Sequence, residues 1–317
     1  MRVFLTGITG FVGLATSKRL LQWGHCVRAA VRDANPALAQ EVEQVVFGNL
    51  VKHDWASSLE GQEVVIHCAA RVHVMKDASR DPLSEFRRVN VEGTLNLARQ
   101  AAKAGVKRFV FISSIKVNGE STRLGVPYTA DDIAMPLDPY GVSKLEAEQK
   151  LLSLAARVDM EVSIIRPVLV YGPGVKANFL SMMEWLKKGM PLPLGAIDNK
   201  RSLVALDNLV DLILTCMKHP AAANQIFLVS DDEDLSTTEL LRRTGKAMGR
   251  PARLIPIPSR FLGFSARLLG KPAIVQRLCE SLQVDIEKTR DLLGWQPPVS
   301  VDEALHKTVH HFLEHQQ

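Results

Sequence analysis

With 317 residues, 46% of them hydrophobic and 23% charged, the chain has the balance of an ordinary globular protein, which excludes a disordered, collagenous or coiled-coil chain. Mean hydropathy is +0.03, and no stretch reaches the roughly 18 apolar residues of a spanning helix, so no membrane partner is expected. The net charge of +5 suits an anionic ligand, while basic residues that stand singly, without a stripe or interleaved aromatics, argue against nucleic acid.

In chain order, short β-branched runs at 3–5, 27–31, 42–47, 64–67, 109–112 and 162–165 alternate with helical patterns at 11–23, 83–104 and 140–157. That rhythm predicts an α/β fold, a Rossmann-like doubly wound parallel sheet with its functional loops at the carboxyl ends of the strands. The run at 3–5 is too short and too soon followed by glycine for a signal peptide, and reads as the first strand. After Arg166-Pro167, glycines and prolines break the chain around a short helix at 179–188. A helix at 207–218 and an apolar strand at 226–229 then return to the sheet, and proline-jointed short helices follow. The expected organisation is a dinucleotide-binding domain of residues 1–167 and 203–230. A smaller, mostly helical substrate-binding lobe of residues 168–202 and 231–317 faces it across a cleft. Cys26, Cys68, Cys216 and Cys279 lie far apart without metal-like spacing. Reduced thiols, no metal and a cytoplasmic setting are therefore expected.

Two clusters carry chemistry. Gly7-Ile8-Thr9-Gly10-Phe11-Val12-Gly13 follows the first strand and opens a helix. Glycines there permit a tight turn and close approach of a pyrophosphate, which the amides of the helix N-terminus then face. Gly7, Thr9, Gly10, Phe11, Val12 and Gly13 thus form the candidate cofactor loop. Tyr140 and Lys144 lie one turn apart on one face of a helix that Asp138 can cap and Pro139 can begin. An ammonium beside a phenol favours phenolate and is expected to draw the tyrosine down from its usual value near 10. Such a group can move a proton at a carbon that exchanges hydride.

The GxxGxxG spacing resembles that of the extended short-chain dehydrogenase/reductases, the group of nucleotide-sugar epimerases, dehydratases and ketoreductases. Landmarks across nearly the whole chain carry the likeness: His67-Cys68-Ala69-Ala70, Asn90-Val91-Glu92-Gly93-Thr94, Ser113-Ser114, Tyr140-Gly141-Val142-Ser143-Lys144, Arg166-Pro167 and Tyr171-Gly172-Pro173. The resemblance implies a catalytic set of Ser114, Tyr140 and Lys144. Ser114 would hold the sugar oxygen, Tyr140 pass its proton, and Lys144 also bind the nicotinamide ribose. It adds Asn49, Leu50, Ala69, Ala70, Asn90 and Pro167 to the cofactor site, and Asn178 and Arg201 as partners of a nucleotide diphosphate. A homodimer through the helices at 83–104 and 140–157 is implied too.

The end of the second strand separates NAD from NADP. Val31 stands where family epimerases commonly carry aspartate, and Arg32 follows, a guanidinium able to hold a 2′-phosphate through two bonds. NADPH is the expected cofactor; NAD is the alternative, with Arg32 solvated and Asp33 serving the ribose. No Asp or Glu stands between Ser114 and Gly119, which argues against the dehydratases. Two reactions then need only Ser, Tyr and Lys.

The likeness is greatest to bacterial O-antigen enzymes, carried by Ser113-Ser114-Ile115-Lys116-Val117-Asn118-Gly119-Glu120 and by Arg201-Ser202-Leu203-Val204-Ala205-Leu206-Asp207-Asn208-Leu209. It implies NADPH-dependent reduction of a UDP-4-keto-6-deoxy-N-acetylhexosamine to UDP-N-acetylquinovosamine or UDP-N-acetylfucosamine for O-antigen polysaccharide. The alternatives are an NAD-dependent 4-epimerase of a UDP-hexose or UDP-N-acetylhexosamine, and a non-catalytic dinucleotide-sensing protein. His73 and Lys116 fall near the cleft by alignment, where each either binds a sugar substituent or is solvated.

Overall fold

The computed structural model describes residues 1–72, 81–258, 260–262 and 278–315. Seven parallel strands form the main sheet in the order β3-β2-β1-β4-β5-β6-β9. They are β1 (Arg2–Thr6), β2 (Cys26–Val31), β3 (Val42–Val46), β4 (Val64–His67), β5 (Arg108–Ile112), β6 (Glu161–Pro167) and β9 (Gln225–Val229). Period-two alternation sends successive side chains to opposite faces. Val3 and Leu5 join one buried cluster, which also holds Leu209 and Ile213. Phe4 joins the other, with Leu97 and Leu151.

Helices α1 (Phe11–Gln22) and α7 (Leu206–Lys218) cover the first face. Helices α4 (Thr94–Lys103) and α5 (Pro139–Ala155) cover the second. Between them in sequence lie the short helices α2 (Ala56–Leu59) and α3 (Pro82–Arg87). The strand order reverses at β1 and β4, so a crevice opens beyond their carboxyl ends, where ligands of doubly wound sheets bind.

The segment expected as one helix over 83–104 is continuous but not uniform. A π-helical turn, Arg88–Gly93, joins α3 to α4. The remaining chain builds a second body. Strands β7 (Leu169–Tyr171), β8 (Arg201–Ala205) and β10 (Asp234–Leu235) make a small sheet in the order β10-β8-β7, which adds strand structure to a lobe expected to be mostly helical. Around it pack α6 (Ala177–Lys187), α8 (Thr237–Ala247) and α10 (Val301–Glu314), with Tyr171, Phe179, Leu203, Leu241 and Leu305 in one core. Helix α9 (Glu287–Leu293) lies against β9. Among the described residues no helix is long and apolar enough to cross a membrane.

Candidate active site

The loop after β1 is shaped by what it must approach. Gly7 sits at φ +73°, and a Cβ there would lie 2.6 Å from the Ala69 amide nitrogen, so the loop lies directly against the chain leaving β4. Gly13 is as tight: a Cβ would meet Gly7 O at 2.2 Å. Gly10 precedes α1 without a side-chain cap, and the first turn carries no acidic residue. The N-terminal amides are therefore not spent on a side chain and suit a diphosphate.

A buried polar chain fixes this corner. Thr6 Oγ1 lies 2.6 Å from His67 Nδ1 and accepts from the Ala69 amide at 3.3 Å, and His67 Nε2 lies 2.9 Å from Thr94 Oγ1. Burial, seconded by the Lys144 charge, pushes His67 down to about 3, so the ring is neutral and serves as a strut. Ala69 and Ala70 line the same corner, half-buried.

Asn90 occupies the π turn. Its Oδ1 accepts from the Arg71 amide at 2.8 Å, and its Nδ2 donates to Arg71 O and to Ser143 Oγ, both at 3.0 Å. One buried amide thus ties the chain after β4 to α5. The extra residue of a π turn aims a side chain that a regular helix would place elsewhere.

Helix α5 begins as the sequence indicates. Asp138 Oδ1 accepts from the Gly141 amide at 2.6 Å and Pro139 takes the first turn. Tyr140 and Lys144 share one face. Lys144 is 2% exposed; its Nζ donates to Ile112 O at 2.7 Å and lies 4.3 Å from the centre of the Phe111 ring. Burial lowers it to about 8, so it remains a cation in neutral buffer. Ser114 caps the short turn Ile115–Val117 after β5, and its hydroxyl is near enough to the Tyr140 phenol to favour the phenolate.

The expected direction of the phenol's shift is not observed. Burial, then the Asp138 carboxylate, push Tyr140 up to about 12, while the Ser114 hydroxyl works the other way. The Lys144 ammonium is directed at a backbone carbonyl and the Phe111 ring.

Lys116 is half-buried and paired. Its ammonium pairs with Asp138 and, at 3.2 Å, with Glu120, and its amide donates to Ser114 Oγ at 3.3 Å. It therefore links the Ser114 turn to the cap of the Tyr140 helix. Behind lies a pair that the sequence reading did not single out: Arg166 donates to Glu148 from Nε at 3.0 Å and from Nη2 at 2.6 Å, and Nη1 reaches Asn118 Oδ1 at 3.0 Å. Ser113 turns away from Ser114 to donate to Glu148. The available signal was Glu148 four residues after Lys144 on the buried face of α5, and Arg166 ending an apolar strand.

The other expected residues are spread around this centre. Asn49 is exposed, and its Oδ1 accepts from the Val51 amide at 2.9 Å. Leu50 is buried in the core beneath α4, and Pro167 is buried at the end of β6. Val31 is buried at the end of β2, with Arg32 and Asp33 exposed beyond it. Asn178 is exposed in the first turn of α6, and Arg201, at the start of β8, donates to Glu280 O at 3.0 Å. His73 lies outside the described residues.

Residues 3–230 match the model of the NAD dependent epimerase/dehydratase family. The chain belongs to that family. A protein of Vibrio cholerae named UDP-glucose 4-epimerase is 50% identical over 98% of this chain and 95% of its own length. One of Mycolicibacterium smegmatis with the same name is 31% identical over 98% of both. MoeE5 in complex with UDP-glucose and NAD superposes over the full length of both chains with a TM-score of 0.78 at 24% identity, a likeness of fold. The family membership makes the chain an epimerase/dehydratase-type enzyme.

Proposed function

We propose that this member of the epimerase/dehydratase family is an NAD-dependent 4-epimerase of a UDP-hexose or UDP-N-acetylhexosamine. This reading replaces, as the first choice, the NADPH-dependent ketoreductase expected from the sequence. What carries it is the 50% identity, over nearly the whole of both chains, to a protein named UDP-glucose 4-epimerase. The site is compatible. It holds Ser114, Tyr140 and Lys144 with no carboxylate between Ser114 and Gly119, and Lys116 is engaged by Asp138 and Glu120.

Bound NAD would supply a hydride acceptor that becomes the donor for the return step. The loop Gly7–Gly13, Ala69, Ala70 and Pro167 would hold it, with Asp33 or Asn49 toward its adenosine end. The protein's own part is at C4 of the sugar. Ser114 holds the C4 oxygen, and Tyr140 takes the hydroxyl proton as that carbon is oxidised. Tyr140 returns the proton when the carbon is reduced on its opposite face. Lys144 keeps a positive charge beneath the site. Asn178 and Arg201, from the lobe of residues 168–202 and 231–317, would receive the nucleotide diphosphate. Tyr140→Phe should lower C4 exchange at least about a hundredfold while leaving NAD affinity, measured by calorimetry, within about twofold. Near-normal turnover of that variant contradicts the assignment.

One observation favours a second reading. β2 ends on Val31, with the exposed Arg32 next to it instead of an acidic residue, an arrangement that suits a 2′-phosphate and hence NADPH-dependent 4-keto reduction. Under it, Arg32→Ala weakens NADPH at least about tenfold and spares NADH. Equal affinities for both cofactors before and after the change remove that reading.

A further inference from the structure

The basic residues that stand singly along the sequence are collected by the fold. Between Leu240 and Leu262 there are six basic residues and no acidic one. Arg243 turns to Glu233 and Glu239. Arg242, Lys246, Arg250, Arg253 and Arg260 are exposed and, among the described residues, form no ion pair. Some cations elsewhere on the surface are matched, as in Arg87–Glu146, Lys107–Asp159 and Lys307–Asp207; what sets this segment apart is that its cations are not diluted by any acidic residue between Leu240 and Leu262.

Three of the unmatched cations, Arg242, Lys246 and Arg250, line one cavity of about 480 Å³ at the end of α8. Arg250 also donates to Lys187 O at 3.1 Å, which brings the end of α6 and its exposed Lys188 alongside. Next to them two extended segments pair. Leu192 N donates to Arg253 O and Ile255 N to Leu192 O, both at 2.8 Å, and Gly195 N to Ile255 O at 2.9 Å. Alternation turns Leu192, Leu194 and Leu254 toward the lobe's core and Pro191, Pro193, Arg253 and Ile255 outward. Large apolar side chains are exposed on the same segments: Trp185 on α6 is 48% exposed, Met190 just after it 46%, and Ile255 in the paired segment 47%.

We propose that this face, formed by the ends of α6 and α8 and the paired segments at 192–195 and 253–255, docks on the surface of an anionic lipid bilayer. Its cations face lipid phosphates, while Trp185, Met190 and Ile255 enter the headgroup region. Between Leu240 and Leu262 the charge is one-signed, and Arg242, Lys246, Arg250, Arg253 and Arg260 form no ion pair among the described residues, as an anionic surface requires. The apolar residues are interleaved with it and include a tryptophan, the side chain whose apolar body and polar N–H suit that interface. A spanning helix is not needed for such contact, and the inference is independent of which sugar the enzyme acts on.

The test uses the full chain and sedimentation with vesicles of phosphatidylcholine, alone or with roughly one part in three phosphatidylglycerol. Binding should be at least about tenfold greater to the anionic vesicles and should fall with salt. It should drop about tenfold or more in the triple variant Lys188→Gln, Arg250→Gln, Arg253→Gln. Tryptophan emission should shift to the blue on binding, and Trp185→Phe should abolish the shift. Ile255→Ser with Met190→Ser, which keeps every charge, provides a second variant; it should also bind less. Thermal melts unchanged from the parent show that the variants are folded. Absence of vesicle binding, equal binding to both vesicle types, or binding untouched by both sets of substitutions overturns the proposal. So does salt-sensitive binding without a Trp185 shift, or equally tight binding to duplex DNA, each of which marks a general polyanion surface.

Discussion

In the proposed reaction Tyr140 is the residue on which the chemistry turns, and its surroundings set a direction for its pH dependence. A phenol held at about 12 by burial and by Asp138 is a poor base near neutrality, so groups that stabilise the phenolate raise turnover. Lys116 is one, because its ammonium neutralises the Asp138 carboxylate that helps to push the phenol up. Other charges around the position are Glu120, paired with Lys116, Lys144 and Glu148 on α5, and the Arg87–Glu146 pair at its flank. When Tyr140 must be ionised to accept the C4 proton, kcat/KM rises with pH through the phenol's pKa. Lys116→Met leaves Asp138 unopposed, and the rise should move to higher pH by about half a unit to one unit. Asp138→Asn removes the carboxylate but still caps α5, and the rise should move to lower pH. The double variant should return toward the parent. Profiles unmoved by either change, or moved in the same direction by both, contradict this role. The sequence showed Lys116 as a cleft residue but not its ion pairs, because Asp138 is 22 positions away and meets it only once the turn after β5 packs on α5.

At the scale of elements, the strands and the long helices were legible because their apolar periods differ, two against 3.6. The π turn was not, since one extra residue in a helix leaves the surrounding pattern intact while re-aiming Asn90. Nor was the small β10-β8-β7 sheet fully visible, as β7 and β10 hold three and two residues and carry almost no period. The buried Arg166–Glu148 pair joins β6 to α5 and, through Asn118 and Ser113, to the turn that presents Ser114. Arg166→Met should lower stability by about 3–5 kcal/mol in urea denaturation, because the Glu148 charge would be left buried and unpaired. Replacing both partners with Arg166→Met and Glu148→Leu should recover most of that loss. A single variant as stable as the parent would mean that the pair does not hold these elements together.

Across the whole molecule, the glycine loop, the Ser114 turn and the Tyr140 helix come together at the carboxyl ends of the adjacent strands β1, β4 and β5, although more than a hundred positions separate the first from the other two. Composition and motif order indicated this architecture, and motif order supplied the catalytic centre proposed above, since each landmark carries its own local chemistry. They led to net reduction at C4 as the first reading and exchange as the alternative, the reverse of the order the relatives favour. Both reactions use the same three side chains, and the residues after β2 point one way while the named relatives point the other. The same holds for surface charge, which becomes a patch only when α6, α8 and the segment at 253–255 are brought side by side. The decisive measurement is proton NMR of UDP-glucose and of UDP-N-acetylglucosamine incubated with the purified protein and catalytic NAD, with the nicotinamide absorbance followed in parallel. The account predicts conversion of at least one of them to its C4 epimer with no net change in reduced nicotinamide. No exchange in either sugar, together with stoichiometric oxidation of NADPH on a UDP-4-keto sugar, would contradict it.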